Sequence, residues 1–332
     1  MSTDWVAEYF TAMKDCGEDI SIIYGRLPEG EENQAPEWFE LPHDKYDGIS
    51  GMAYLLRNAG FSIDVLPSLK NDSYRFFKSV KGILSVLPHM GMRQQKWVRF
   101  DRSVAKLELP VSERIAWHLF SEQESQYIVA DSKKLGVTVN SYLLFHLDRA
   151  VSKILTSPED ARKWMVPVNM RGAVSRKNEY TPQMSFLGVD TQADTTLTDI
   201  HGQVLKAKSK AFHWGAWAMF NAGFLAGKEG IRKDIKKRDA RNHSWTGTFS
   251  NLGVWNIPGA GSWLFGPTTG RTYPVAAGCI SMNKRIGITV QLHEALLGDI
   301  ETAYDVVDLW SKHVLSGNQE SEHSPKKEAE TI

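Results

Sequence analysis

Residues 41–51 read Leu41-Pro42-His43-Asp44-Lys45-Tyr46-Asp47-Gly48-Ile49-Ser50-Gly51, placing a histidine, an aspartate and a glycine in the order H-x-x-x-D-G. They stand where an apolar strand gives way to a helix. Upstream, Trp38, Phe39 and Leu41 suit an extended segment; downstream, Ile49, Met52, Ala53, Leu55 and Leu56 recur at helical spacing and stop at Asn58-Ala59-Gly60. Neutral imidazole accepts a proton near pH 7, so a histidine fixed against a hydroxyl, amine or thiol makes that group nucleophilic. Asp47 follows too closely to be assumed a relay partner for His43 and is expected to pin the turn through an ion pair with an arginine. Gly48 lets the backbone bend and leaves space beside the ring. The competing reading is a structural or surface histidine, because the motif has few fixed positions.

The composition narrows the class without naming it. The chain has 332 residues, 42% of them hydrophobic and 23% charged, which suits a soluble globular protein with two cores or one large one. Thirty-nine basic residues balance thirty-nine acidic ones, so no net field draws the protein to nucleic acid or to an anionic membrane. Cys16 and Cys279 lie far apart outside any C-x-x-C or Cys/His cluster, which argues against a disulfide framework and a structural zinc site and fits a reducing cytoplasm. No apolar run approaches a transmembrane length, and the start of the chain carries no basic and apolar leader. Eleven tryptophans exceed what a plain core requires and could wall an apolar tunnel as well as fill a core.

Outward from the motif, a helix opening at Thr3 carries Val6, Tyr9, Phe10 and Met13 on one face, and residues 20–27 and 37–41 read as strands. Residues 66–106 show short apolar runs broken by Pro67, Pro88 and Gly91 and read as a crossover or linker. A larger unit follows. Helices are expected over 122–135 and from Thr138 to Ile154, with strands over 164–171, 184–189 and 245–255. Leu107-Glu108-Leu109 and residues 114–118 read as extended, and one long basic helix is expected over 198–228. A hairpin of 273–282 and 285–292 should turn at Asn283-Lys284, and a closing helix should run over 299–314. The division is therefore an α/β unit over 1–105 carrying the histidine motif, a second over 106–315, and a disordered tail over 316–332.

Four stretches in this order carry a family resemblance: Pro42-His43-Asp44-Lys45-Tyr46-Asp47-Gly48, Leu135-Gly136-Val137-Thr138-Val139-Asn140-Ser141-Tyr142-Leu143-Leu144, Val166-Pro167-Val168-Asn169-Met170-Arg171 and Phe249-Ser250-Asn251-Leu252-Gly253. Together they resemble the chloramphenicol acetyltransferase-like superfamily of acyltransferases, which includes condensation domains of nonribosomal peptide synthesis, plant alcohol acyltransferases and bacterial wax ester synthases. The resemblance implies a two-subdomain α/β sandwich with a tunnel between the subdomains. The family motif is H-H-x-x-x-D-G, its second histidine the general base; here Pro42 stands first, while His43, Asp47 and Gly48 match. By the same resemblance Asp47 is structural and paired with an arginine, Arg171 or Arg26. Ser250 and Asn251 correspond to a segment facing the channel, where they would hold the pantetheine arm or the developing oxyanion. Family members carry a far longer segment ahead of the motif, which implies a shortened first subdomain and a more open acceptor side.

The resemblance implies acyl transfer from coenzyme A or a carrier-protein phosphopantetheine to an alcohol or amine, with His43 as base. Acyl-coenzyme A or acyl-phosphopantetheine is then the co-substrate, and no permanently bound cofactor or metal is required. The expected partners are a small-molecule acceptor, an acyl or peptidyl carrier protein and further copies of the chain. Two other functions compete: a non-catalytic scaffold that keeps the fold, motivated by Pro42 and the short first unit, and a thioester hydrolase using water at His43. The sequence has no G-x-S-x-G elbow for a serine hydrolase.

Overall fold

The structure is a computed structural model that describes residues 4–30, 34–63, 66–67, 76–87, 93–101, 103–104, 109–174, 179–240 and 243–317. Thr3, Leu107, Glu108 and the tail beyond Gly317 lie outside the described residues. Asp4 caps α1 (Trp5–Asp15), its Oδ1 accepting the N–H of Val6 at 3.1 Å and of Ala7 at 3.3 Å. β1 (Ser21–Leu27) and β2 (Glu37–Pro42) pair antiparallel, and α2 (Gly48–Asn58) follows directly after the motif turn.

The stretch expected to be a linker contains α3 (Phe76–Val86) and the two-residue β3 (Arg93–Gln94). Its helical pattern was hidden because the buried face is small. Ser79, Gly82 and Val86 face inward, while Phe76, Phe77 and Leu84 are exposed. Gly82 lies against Gly215 of α7 (Phe212–Asn221) so closely that a Cβ on either would run into the other helix's backbone.

β4 (Ile115–Leu119), α4 (Glu122–Lys134), α5 (Val139–Ile154), β5 (Arg162–Asn169) and β6 (Met184–Thr191) come next, close to expectation. The single basic helix expected over 198–228 is instead α6 (Leu197–Ser209), α7 and α8 (Gly223–Ala240). Ala211, buried in the left-handed region at φ 57°, ends the first, and Gly227 at φ 64° kinks the last. Part of the basic charge is spent locally: Lys228 pairs with Glu8 of α1 at 2.8 Å and Arg238 with Asp234 at 2.6 Å.

β7 (His243–Ser244) pairs with β3, and β8 (Gly247–Trp255) precedes β9 (Ser262–Gly266). β10 (Val275–Met282) and β11 (Arg285–Leu292) form the expected hairpin, turning at Asn283 (φ 48°) and Lys284 (φ 70°), and α9 (Ile300–Ser316) closes the chain. Among the described residues no helix is long and apolar enough to cross a membrane.

Two main sheets result, one in the order β2-β1-β9 and one in the order β4-β11-β10-β8-β5-β6. The sheet that carries the motif is thus completed by a strand from beyond residue 105. β9 is buried along its whole length, edging β1 while lying across β10 and β11. Gly278 and Gly287 permit that crossing, and Thr289 Oγ1 donates to Phe265 O at 2.6 Å to fasten it. One apolar core, with Trp164 and Trp310, fills the space under α5, α6 and α9; a second joins α2 to β1, β8 and β9; a third, with Trp214 and Trp217, lies under α1.

Candidate active site

His43 follows the last residue of β2, where its N–H donates to Ile20 O at 2.9 Å and holds the chain against the start of β1. Its ring is 8% exposed and stacks on Phe10, with centroids 3.8 Å apart and planes inclined by 13°. Nδ1 lies 2.9 Å from Tyr46 O; a carbonyl only accepts, so Nδ1 carries the proton and Nε2 keeps its lone pair. Burial lowers the imidazole pKa below its ordinary value, and the opposing field of Asp47 is the smaller effect. The ring is therefore neutral near pH 7, as a general base must be.

Asp47 does three structural tasks at once. Its Oδ1 accepts the N–H of Ile49 at 3.1 Å and of Ser50 at 3.0 Å, and Ser50 Oγ answers by accepting Asp47 N–H at 2.9 Å, which closes a capping box on α2. Its Oδ2 accepts the N–H of Gln183 at 2.8 Å and meets Arg171 Nη1 at 2.7 Å. The paired arginine is thus Arg171, whereas Arg26 sits within β1 opposite Glu37 and Trp263. A brace of rings and polar contacts backs the turn: Tyr46, Tyr54 and Tyr180 cluster within about 6 Å of one another, and Ser50 Oγ donates to Tyr180 O at 2.8 Å.

Gly48 is required for space. A Cβ there would stand 2.5 Å from Leu252 Cδ2 and 2.9 Å from Phe265 Cζ, while its φ is ordinary, so the expected backbone bend is not what selects glycine.

His43 and Gly48 line a cavity of about 500 Å³, walled mainly by apolar side chains of α1, α7 and α8. Trp5 and Trp245 contribute to this wall, whereas Trp164, Trp214, Trp263 and Trp310 are core. Ser250 lines the cavity too, and so does Thr248, two positions earlier on β8. Asn251 is not among the described lining residues; its Oδ1 accepts Gly253 N–H at 2.8 Å. Strand alternation separates the expected pair: Ser250 and Thr248 share a face, and Asn251 takes the other. The period of two could have nominated Thr248 from sequence, but the Tyr46 carbonyl and the Phe10 stack leave no such signal. His213 lies off the cavity. Among the described residues no three His, Cys, Asp or Glu side chains converge as a metal site requires.

No family model and no curated protein matches the chain. Solved structures do. The cyclization-docking bidomain of EpoB, a nonribosomal peptide synthetase from Sorangium cellulosum, superposes with a TM-score of 0.52 at 12% identity over 83% of this chain and 61% of that one. The wax ester synthase/diacylglycerol acyltransferase of Marinobacter aquaeolei VT8 gives 0.51 at 14% identity over 85% and 68%. The condensation domain of the monacolin K polyketide synthase MokA gives 0.51 at 10% identity over 87% and 70%. The fold is the chloramphenicol acetyltransferase-like fold. Within it, β9 comes from beyond residue 105 and yet pairs with β1 in the sheet that leads into the motif.

Proposed function

We propose that the protein is an acyltransferase that moves an acyl group from a thioester, either acyl-coenzyme A or a carrier-protein acyl-phosphopantetheine, to an alcohol or amine. The observation that carries this reading is His43: a neutral imidazole, locked in one tautomer by Tyr46 O, whose ring lines a large apolar cavity. The chloramphenicol acetyltransferase-like fold supports it.

In this reading Nε2 of His43 removes the proton of the acceptor O–H or N–H as the oxygen or nitrogen attacks the thioester carbonyl carbon. The C–S bond then breaks, and the departing thiolate takes the proton back from the imidazolium, so His43 ends as it began. The Ser250 and Thr248 hydroxyls line the same cavity as His43 and in this reading donate to the oxyanion. Asp47 and Arg171 touch no reactant; they position the turn. The apolar wall suits the acyl chain.

The test is thiol release from a panel of acyl-coenzyme A thioesters and acyl-loaded carrier proteins, with alcohols and amines as acceptors and acylated products read by mass. Acceptor-dependent release should fall by about 10²–10⁴-fold in His43→Ala without loss of folding. Release that survives in that variant, or no transfer from any donor, overturns the proposal; release without an acylated acceptor identifies a hydrolase.

A further inference from the structure

α3 is built inside out. Its small residues Ser79 and Gly82 face the protein, while Phe76, Phe77, Val80 and Leu84, with Leu87 just beyond its end, face solvent. At 3.6 residues per turn those five side chains fall within about 100° of arc, so they form one continuous stripe. The stripe is wide open: Phe76 is 67% exposed, Phe77 83% and Leu84 67%. None of the five lines the His43 cavity. A lone surface apolar residue needs no explanation, but a contiguous row of them marks an interaction surface.

The charge carried by the neighbouring elements is of one sign. Lys81 stands one turn along from Phe77, and its Nζ donates to Ser209 O at 3.0 Å, which brings the end of α6 alongside the stripe. There Lys206, Lys208 and Lys210 are all exposed. Neither α3 nor residues 200–221, which run from α6 through α7, contain a single Asp or Glu. The equal totals of acid and base over the whole chain conceal this local excess.

Area and composition together select the occupant. The stripe measures roughly 16 by 10 Å, the length of an 11-residue helix by its width, far below the area of about 800 Å² that a stable protein partner covers. Lysine is depleted where proteins meet, whereas phenylalanine and leucine bordered by lysines suit a bilayer surface with anionic headgroups.

We propose that α3 and the end of α6 dock the protein on an anionic lipid surface. Phe76, Phe77 and Leu84 enter the boundary between headgroups and acyl chains, and Lys206, Lys208 and Lys210 meet the headgroups. α3 packs on α7, whose Phe212, Ala216, Met219 and Phe220 wall the His43 cavity, so the docked lipid lies one helix away from that wall. The surface stands whether or not His43 is catalytic.

Flotation of the full chain with vesicles of phosphatidylcholine, alone and with phosphatidylserine added, tests it. Binding to the anionic vesicles is expected. It should weaken about 100-fold when Lys206→Gln, Lys208→Gln and Lys210→Gln are combined, and at least about tenfold when Phe77→Ser is combined with Leu84→Ser. Val254→Ser, on a comparably exposed residue of β8, should change nothing. Every substituted residue is exposed, and melting temperatures check that the variants fold. Light scattering without lipid detects a second copy of the chain as the occupant instead. Failure to float with either vesicle, equal binding to the neutral ones, indifference to either set of substitutions, or self-association that the Phe77→Ser and Leu84→Ser pair abolishes overturns the proposal.

Discussion

Two buried aspartate–arginine pairs among the described residues are built differently. Asp148 and Arg162 meet through two parallel bonds, Nε to Oδ1 at 2.9 Å and Nη2 to Oδ2 at 3.0 Å. Trp164 Nε1 and Thr191 Oγ1 add donors to Oδ1 at 2.7 and 2.6 Å, and Arg162 Nη1 donates to Asp160 O at 2.7 Å. Asp47 and Arg171 meet at one 2.7 Å contact, and Arg171 Nε is buried without a partner. The first is a closed clasp between α5 and β5. The second is an open brace between the histidine turn and the segment leading into β6. A closed clasp contributes to stability; an open brace sets geometry, and the geometry it sets is that of His43.

Breaking the clasp should have the largest effect. Arg162→Met leaves Asp148 charged inside the core and should cost about 3–5 kcal/mol of unfolding free energy, read by urea melts. Arg171→Met should cost less, because Asp47 keeps three backbone N–H donors. It should instead lower kcat for thiol release roughly 100-fold with little change in KM, as positioning does. Equal stability losses from the two substitutions would collapse the distinction.

The open brace was legible in the sequence and the closed clasp was not. The motif marks Asp47 as an acid that needs an arginine, and the family resemblance offers Arg171 or Arg26; Arg162 is one basic residue among many, and only the fold buries it. The same logic explains the elements. α2 and the β10–β11 hairpin obey local rules of capping and turn chemistry, whereas α3 turns its aromatic residues to solvent and buries Ser79 and Gly82 against another helix. β9 is a five-residue run among glycines whose strand character depends on β1, far away in the chain. Of the site, the base and its acidic neighbour could be read, but a hydrogen bond to the Tyr46 backbone carbonyl and the left-handed Ala211 that folds α7 back have no side-chain signature.

Acid separates the two regions in another way. His146 lies two residues before Asp148, and burial pulls its pKa down to about 3; His43 lies four residues before Asp47 and is lowered by the same cause. Each is neutral in the folded state, so neither affects stability well above the ordinary value of 6.5. Below it the unfolded chain takes up the proton first, and stability falls with pH, for His146 from about 6.5 to about 3. His146→Phe should flatten part of that acid loss in melts run against pH and leave the activity profile alone. His43 should instead set the acid limb of kcat/KM, with its midpoint below the ordinary histidine value.

The smallest effect concerns neighbours on one strand, and it asks how far geometry rather than residue type decides function near the brace. Ser250 and Asn251 are both polar and both sit in the segment that resembles a channel motif, yet only Ser250 lines the cavity. Asn251 spends its oxygen on Gly253, which takes φ 79° there, so its task is the backbone turn within β8. Ser250→Ala should lower kcat about tenfold through the loss of one oxyanion donor, less than for a dedicated site because Thr248 stands beside it. Asn251→Ala should leave kcat within about twofold and cost about 1 kcal/mol of stability. A large kcat loss in Asn251→Ala with no loss for Ser250→Ala would mean that the reacting atoms lie on the other face of β8, and the His43 cavity would then not be where the chemistry happens.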